Sequence, residues 1–189
     1  DMYCVYLGKA VQTVNPPNAS VGTAQLADDA VTKAKTSNLM YPAFEAYLNT
    51  SQTVSDSATT KVPFEVEVFD TDNCYDNTTN YRFTPTVAGK YYVYASVMQD
   101  GGPGLSNTYA QSIFIYKNGS EYKKSHIQYQ GNPIRQSIIF NESVIDMNGS
   151  SDYLEIYQSL NTNNGNDGVV EPDSTFKKAT SFGAYRIGD

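Results

Sequence analysis

The chain has 189 residues, enough for one ordinary domain and a small appendage. Its net charge is -7, and an acidic surface repels phosphate backbones, which argues against a nucleic-acid partner. Tyrosine (16) and phenylalanine (8) are plentiful and tryptophan is absent, while no apolar run approaches the roughly 20 residues a membrane helix needs, so membrane insertion is not expected.

Residues 1–15 read as a terminal strand of an upstream module, CVYLGKAVQTV, stopped by Asn15-Pro16-Pro17-Asn18. The strand is already under way at Asp1, so residue 1 is expected to lie inside a longer protein. Residues 16–40 form a collar or linker with an internal repeat, SVGTAQLAD followed ten residues later by AVTKAKTSN. Val21, Ala24, Ala27 and Val31 suit one face of a short helix, and the same segment suits an extended shaft or a flexible linker. It is too small to hold a core without partner copies.

Residues 41–189 alternate apolar and polar side chains in short runs separated by polar turns, with no helical period between them. PAFEAYLN places Phe44, Ala46 and Leu48 on one face. VPFEVEVF reads as one strand with Val62, Phe64, Val66 and Val68 on one side. GKYYVYASVM sets Tyr91, Val93, Ala95 and Val97 against Tyr92, Tyr94 and Ser96. Asn118-Gly119 is a strong two-residue hairpin signal, and Met147-Asn148-Gly149-Ser150 marks a turn between two further strands. SFGAYRIG closes the series. Such spacing points to an all-β jelly roll.

Catalytic and metal-binding patterns are weak. Asp70, Asp72 and Asp76 suggest calcium, but the loop fails the EF-hand pattern at Cys74, Tyr75 and Tyr81, and a turn with Asp side chains capping backbone amides is expected instead. His126 is the only histidine, too few for a zinc site, and no Gly-x-Ser-x-Gly elbow accompanies it. No metal, cofactor or enzymatic activity is expected. Cys4 and Cys74 lie in separate parts of the chain and are expected to be free thiols, as in a reducing cytosol. Sequons at Asn18, Asn49, Asn77, Asn118, Asn141 and Asn148 matter only in a secreted eukaryotic protein.

Taken in order, Pro42-Ala43-Phe44-Glu45-Ala46, Phe83-Thr84-Pro85, Ala88-Gly89, Tyr91-Tyr92-Val93-Tyr94, Lys117-Asn118-Gly119, Asp152-Tyr153-Leu154-Glu155-Ile156 and Ser181-Phe182-Gly183-Ala184-Tyr185 resemble the C1q-like jelly roll, a relative of the tumour necrosis factor fold. The resemblance covers about residues 42–188. It departs at Gly183-Ala184-Tyr185, which replaces the usual Gly-Phe pair and leaves the last strand's register open, and at an insertion over 161–172. It implies a ten-strand sandwich that assembles as a homotrimer and works by binding. Strands with large side chains on both faces must cover both, and Tyr92, Tyr94, Tyr153 and Tyr157 are assigned to the trimer interface.

The amino-terminal segment, VYLGKAVQTV with Pro16-Pro17 and the SVGTAQLADDAVTKAK repeat, is similar to joining segments in tail fibres of marine bacteriophages. That likeness implies a virion protein, assembled in a bacterial host's cytoplasm. It would contact other virion proteins through the shaft and meet a host cell-surface receptor, a glycan or a protein. A capsid decoration protein and a secreted C1q-like protein are the alternatives, the second opposed by the cysteines and the phage-like stub. Receptor contacts are expected in two polar loops, at Asp100, Asn107 and Tyr109 in the first and Asn163, Asn164, Asn166 and Asp167 in the second. Their amides and carboxylates suit sugar hydroxyls. The two loops are expected to follow strands of one sheet and to open at one end.

Overall fold

The computed structural model describes residues 41–102, 107–129, 131–172 and 178–188, with isolated positions at 18, 20–22, 24 and 26. The chain divides into two compact units, Asp1–Ser37 and Asn38–Asp189. The terminal strand expected at 1–15 and the repeat expected at 16–40 lie almost wholly outside the described residues.

Among the described residues, thirteen strands form the second unit: β1 (Ala43–Tyr47), β2 (Gln52–Val54), β3 (Thr60–Lys61), β4 (Val66–Asp70), β5 (Tyr75–Asp76), β6 (Arg82–Phe83), β7 (Ala88–Asp100), β8 (Thr108–Lys117), β9 (Ser120–Gln128), β10 (Gln136–Asn148), β11 (Leu154–Thr162), β12 (Gly168–Glu171) and β13 (Ser181–Gly188). One antiparallel sheet follows the order β2-β12-β7-β13-β1-β4, with β10 paired along the other side of β7. The second follows β5-β6-β11-β8-β9, with β3 beside β11. Among the described residues there is no α-helix. This is the all-β sandwich expected, and the excess over ten strands lies in short segments such as β3, β5 and β12.

Period-two alternation sorts side chains as the sequence suggests. Phe44, Ala46, Leu48, Tyr91, Val93, Ala95 and Val97 are all in the core. Phe44 stacks on Tyr75 and Phe83, both at 4.6 Å between ring centroids, and meets the edge of Phe182 at 4.8 Å. Asn118 and Gly119 both take positive φ, 52° and 77°, in the two-residue turn between β8 and β9. The register left open at the end is fixed: Gly183 lies opposite Tyr94 and Tyr185 opposite Tyr92.

VPFEVEVF is not one strand. Thr60–Lys61 pairs with β11 in the second sheet, whereas Val66–Asp70 pairs with β1 in the first. The residues between cross from sheet to sheet, burying Val62 and Phe64 in the core on the way. The insertion at 161–172 is also part of the fold, since β12 lies between β2 and β7.

The sandwich has two different ends. The chain enters at Ala43, level with Tyr185 and through it with Tyr92. From there β7 runs on to Asp100, about 25 Å further at the usual rise per residue. At the first end the core is aromatic. Toward the second it becomes polar: Gln99, Gln111 and Gln158 face inward from both sheets, and Gln99 Nε2 donates to Gln158 Oε1 at 2.6 Å.

Candidate functional site

Four connections meet at the far end, and hydrogen bonds between them fix their arrangement. The 101–107 loop follows β7 and the 163–167 loop follows β11, so the two expected loops leave different sheets, contrary to the sequence reading. They nevertheless converge. Asn163 N–H donates to the Asn107 carbonyl at 2.9 Å, and Asn107 N–H donates to Asn163 Oδ1 at 3.1 Å. A Cβ on Gly102 would lie 2.6 Å from the Asp167 carbonyl oxygen, and Gly102 takes φ +86°, so glycine alone fits that approach. Residues 103–106 lie outside the described set.

Two further connections brace them. Asp56, in the turn after β2, accepts the Thr162 N–H at 2.6 Å and its hydroxyl at 3.1 Å. Asn161 Nδ2 donates to Ser57 Oγ at 2.7 Å. From the β9–β10 connection, Arg135 Nε donates to Asp100 Oδ1 at 3.1 Å, and its carbonyl accepts the Gly101 N–H at 2.8 Å. No local signal in the sequence marks Asp56 or Arg135, because each partner lies at least 35 residues away.

The predicted receptor residues therefore divide. Asp100 is buried, its carboxylate occupied by Arg135 and by the Gly102 N–H at 2.7 Å, so it acts within the fold. Asn107 and Asn163 clamp the two loops together. Tyr109, half-buried at the base, accepts a hydrogen bond from Gln128 Nε2 through its hydroxyl at 3.1 Å. Asn164 Oδ1 accepts the Asn166 N–H at 3.2 Å. Asn166 and Asp167 are exposed and line an open depression with Thr53, Gly165, Gly168 and Val169. Amide, carboxylate and hydroxyl groups on a braced backbone can bind a polyhydroxylated or polar ligand with little reordering.

The tyrosines assigned to assembly lie on opposite outer faces. Tyr92 and Tyr94 project from the first sheet, with Tyr185 5.5 Å from Tyr92. Around them stand Phe140 (66% exposed) and Val144 (49%) on β10 and Phe69 (46%) on β4. Tyr157 projects from the second sheet, 4.2 Å from Tyr116 and beneath Lys61, while Arg82 lies over Tyr153 at 4.7 Å. The two pairs therefore belong to different sheets.

The acidic loop after β4 caps its own backbone. Asp70 accepts the N–H groups of Asp72 (3.2 Å) and Tyr75 (2.8 Å), and Asp76 accepts those of Thr78, Thr79 and Asn80 at 3.0, 2.9 and 3.1 Å. Among the described residues no three His, Cys, Asp or Glu side chains gather into a metal-ligand cluster. Cys74 is free and buried; burial, and then Asp70 beside it, push its thiol pKa well up. Cys4 lies outside the described residues. His126 Nδ1 sits 2.9 Å from the buried Ser112 Oγ on the outer face of the second sheet. The sequon at Asn141 is buried with its amide donating to the Ile113 and Lys123 carbonyls, so a glycan there is incompatible with the fold.

No protein-family model matches the chain, and no curated protein matches it in sequence. Solved structures do. The Eiger TNF structure from S. frugiperda aligns over 78% of this chain and 92% of its own at TM-score 0.53 and 14% identity. Murine APRIL aligns over 77% of this chain and 98% of its own at TM-score 0.55 and 10% identity. The globular domain of zebrafish complement 1qA aligns over 77% and 97% at TM-score 0.51 and 14% identity. The fold is the TNF/C1q jelly roll. At these identities the likeness concerns architecture alone. Within this TNF/C1q-like head, the braced loops occupy the end away from the incoming chain, and the aromatic face lies along the side.

Proposed function

We propose that the chain is the trimeric, non-enzymatic recognition head of a bacteriophage tail fibre, adsorbing to a glycan or protein on the host cell surface. The observation that carries this reading is polarity along the sandwich. The chain enters at Ala43, whereas four cross-bound loops sit at the opposite end, where a terminal knob meets its target. The phage-like segment before residue 41 supports a fibre that delivers the head and contacts other virion proteins.

Trimer formation rests on the face bearing Tyr92, Tyr94, Phe140 and Val144, with Phe69 at the sheet's opposite edge. An apolar patch of this kind is unfavourable in water. Because its apolar groups occur at both edges of one sheet, a head-to-tail contact repeated around an axis covers them and closes a ring. Tyr153 and Tyr157 are stacked within their own chain on the other face. Three copies multiply weak individual sites by avidity.

Adsorption of the fluorescently labelled purified chain to a panel of bacterial strains, alongside a glycan array, tests the reading. Selective adsorption by a trimer supports it. A folded trimer that adsorbs to no strain and binds no glycan contradicts it.

A further inference from the structure

Strand β10 is 13 residues long and, among the described residues, pairs with β7 only. Its other edge is a row of backbone donors and acceptors with no strand beside it. The same strand carries exposed Phe140 and Val144. A long, open edge with apolar side chains is a template for pairing with another chain.

Side chains from the opposite sheet occupy this edge. Lys117 Nζ, from the end of β8, donates to the Asp146 carbonyl at 2.6 Å. Lys123 Nζ, from β9, donates to the Glu142 carbonyl. Asn141 reaches the other way, its Nδ2 donating to the Lys123 carbonyl at 3.0 Å and the Ile113 carbonyl at 3.2 Å. The seam between β9 and β10 is thus bridged by side chains where a backbone ladder would otherwise stand. In an extended strand alternate residues present N–H and C=O to the same side, so Glu142 and Asp146 share the free edge with Val144 between them.

We propose that Lys117 and Lys123 guard the free backbone of β10 against strand-to-strand pairing with a second copy of this chain. Each ammonium occupies a carbonyl that an incoming strand would need, and each brings a charge that an incoming strand would have to desolvate. The inference does not depend on the recognition role.

The test is the double variant Lys117→Met/Lys123→Met, which keeps the side-chain stems and removes the donors. Sedimentation velocity and thioflavin T fluorescence follow it and the wild type during incubation at neutral pH. The wild type is expected to keep its size and stay dye-silent. The double variant, folded by circular dichroism, is expected to grow into larger particles with about a tenfold rise in dye signal, and each single variant to grow more slowly. Adding Asp146→Pro removes a free-edge N–H and should suppress the growth. A folded double variant that neither grows nor binds dye overturns the proposal, as does growth that survives Asp146→Pro. Should the double variant not fold, single variants that stay the size of the wild type overturn it equally.

Discussion

Gly183 lies against the ring of Tyr94: a Cβ at position 183 would fall 2.4 Å from Tyr94 Cζ and Oη. The ring is not free to move aside, because its hydroxyl donates to Glu45 Oε2 at 3.0 Å and Tyr92 stands next to it, 6.1 Å between centroids. Glycine here is a matter of space, since its φ is not in the left-handed region. Gly183→Ala should therefore destabilise the head by about 1–3 kcal/mol, the usual cost of overpacking. Combining it with Tyr94→Ala should cost less than the two changes summed. Urea denaturation of the four proteins measures the coupling, and strict additivity would show that the two residues do not meet.

Asp76 predicts an acid-sensitive loop. The backbone N–H groups of Thr79 and Thr78, with Asn80 adding further hydrogen bonds, hold its carboxyl well below the usual carboxylate range. A depressed carboxyl pKa contributes stability that is complete above the unfolded value of about 3.9 and is lost as pH falls through the folded value. Asp76→Asn should lose about 1 kcal/mol at pH 7, the worth of a backbone cap, and the gap between its melting temperature and that of the wild type should narrow progressively as pH falls below about 3.9. Parallel pH-melting curves for the two proteins would contradict this.

The parts of the fold written in local pattern were legible. Phe44, Ala46 and Leu48, or Tyr91, Val93, Ala95 and Val97, alternate because one face of each strand is core. Asn118-Gly119 announced its hairpin because few residues accept positive φ twice in succession. What alternation cannot encode is which sheet a strand joins. VPFEVEVF alternates throughout, yet only its second half pairs, with β1, while Thr60–Lys61 just before it pairs with β11, and Val62 and Phe64 are buried in the crossing between them. The loops were found by their polarity, but their joining was not, because the Asn107–Asn163 bonds span 56 residues. Asp100 looked like a surface carboxylate until Arg135, 35 residues on, was brought against it.

The trimer contact predicts an asymmetry between the two outer faces. Phe140→Asp and Tyr94→Asp place a charge on the apolar face of the first sheet, where assembly would have to desolvate it. Light scattering should show both variants as monomers. Tyr157→Asp breaks a stack with Tyr116 on the other face and should remain trimeric with about 1 kcal/mol less stability. A trimer unaffected by Phe140→Asp and Tyr94→Asp would remove the first sheet from the interface.

The most direct measurement concerns the far-end loops. Residues 163–167 are replaced with a short Gly-Ser turn, leaving the Asp56 bonds to Thr162 and the pairing of β12 intact. The trimer is confirmed by light scattering, and adsorption to a strain that binds the wild type is then measured. Recognition through the braced loops predicts an intact trimer whose adsorption falls at least tenfold. An intact trimer that adsorbs as well as the wild type would contradict it.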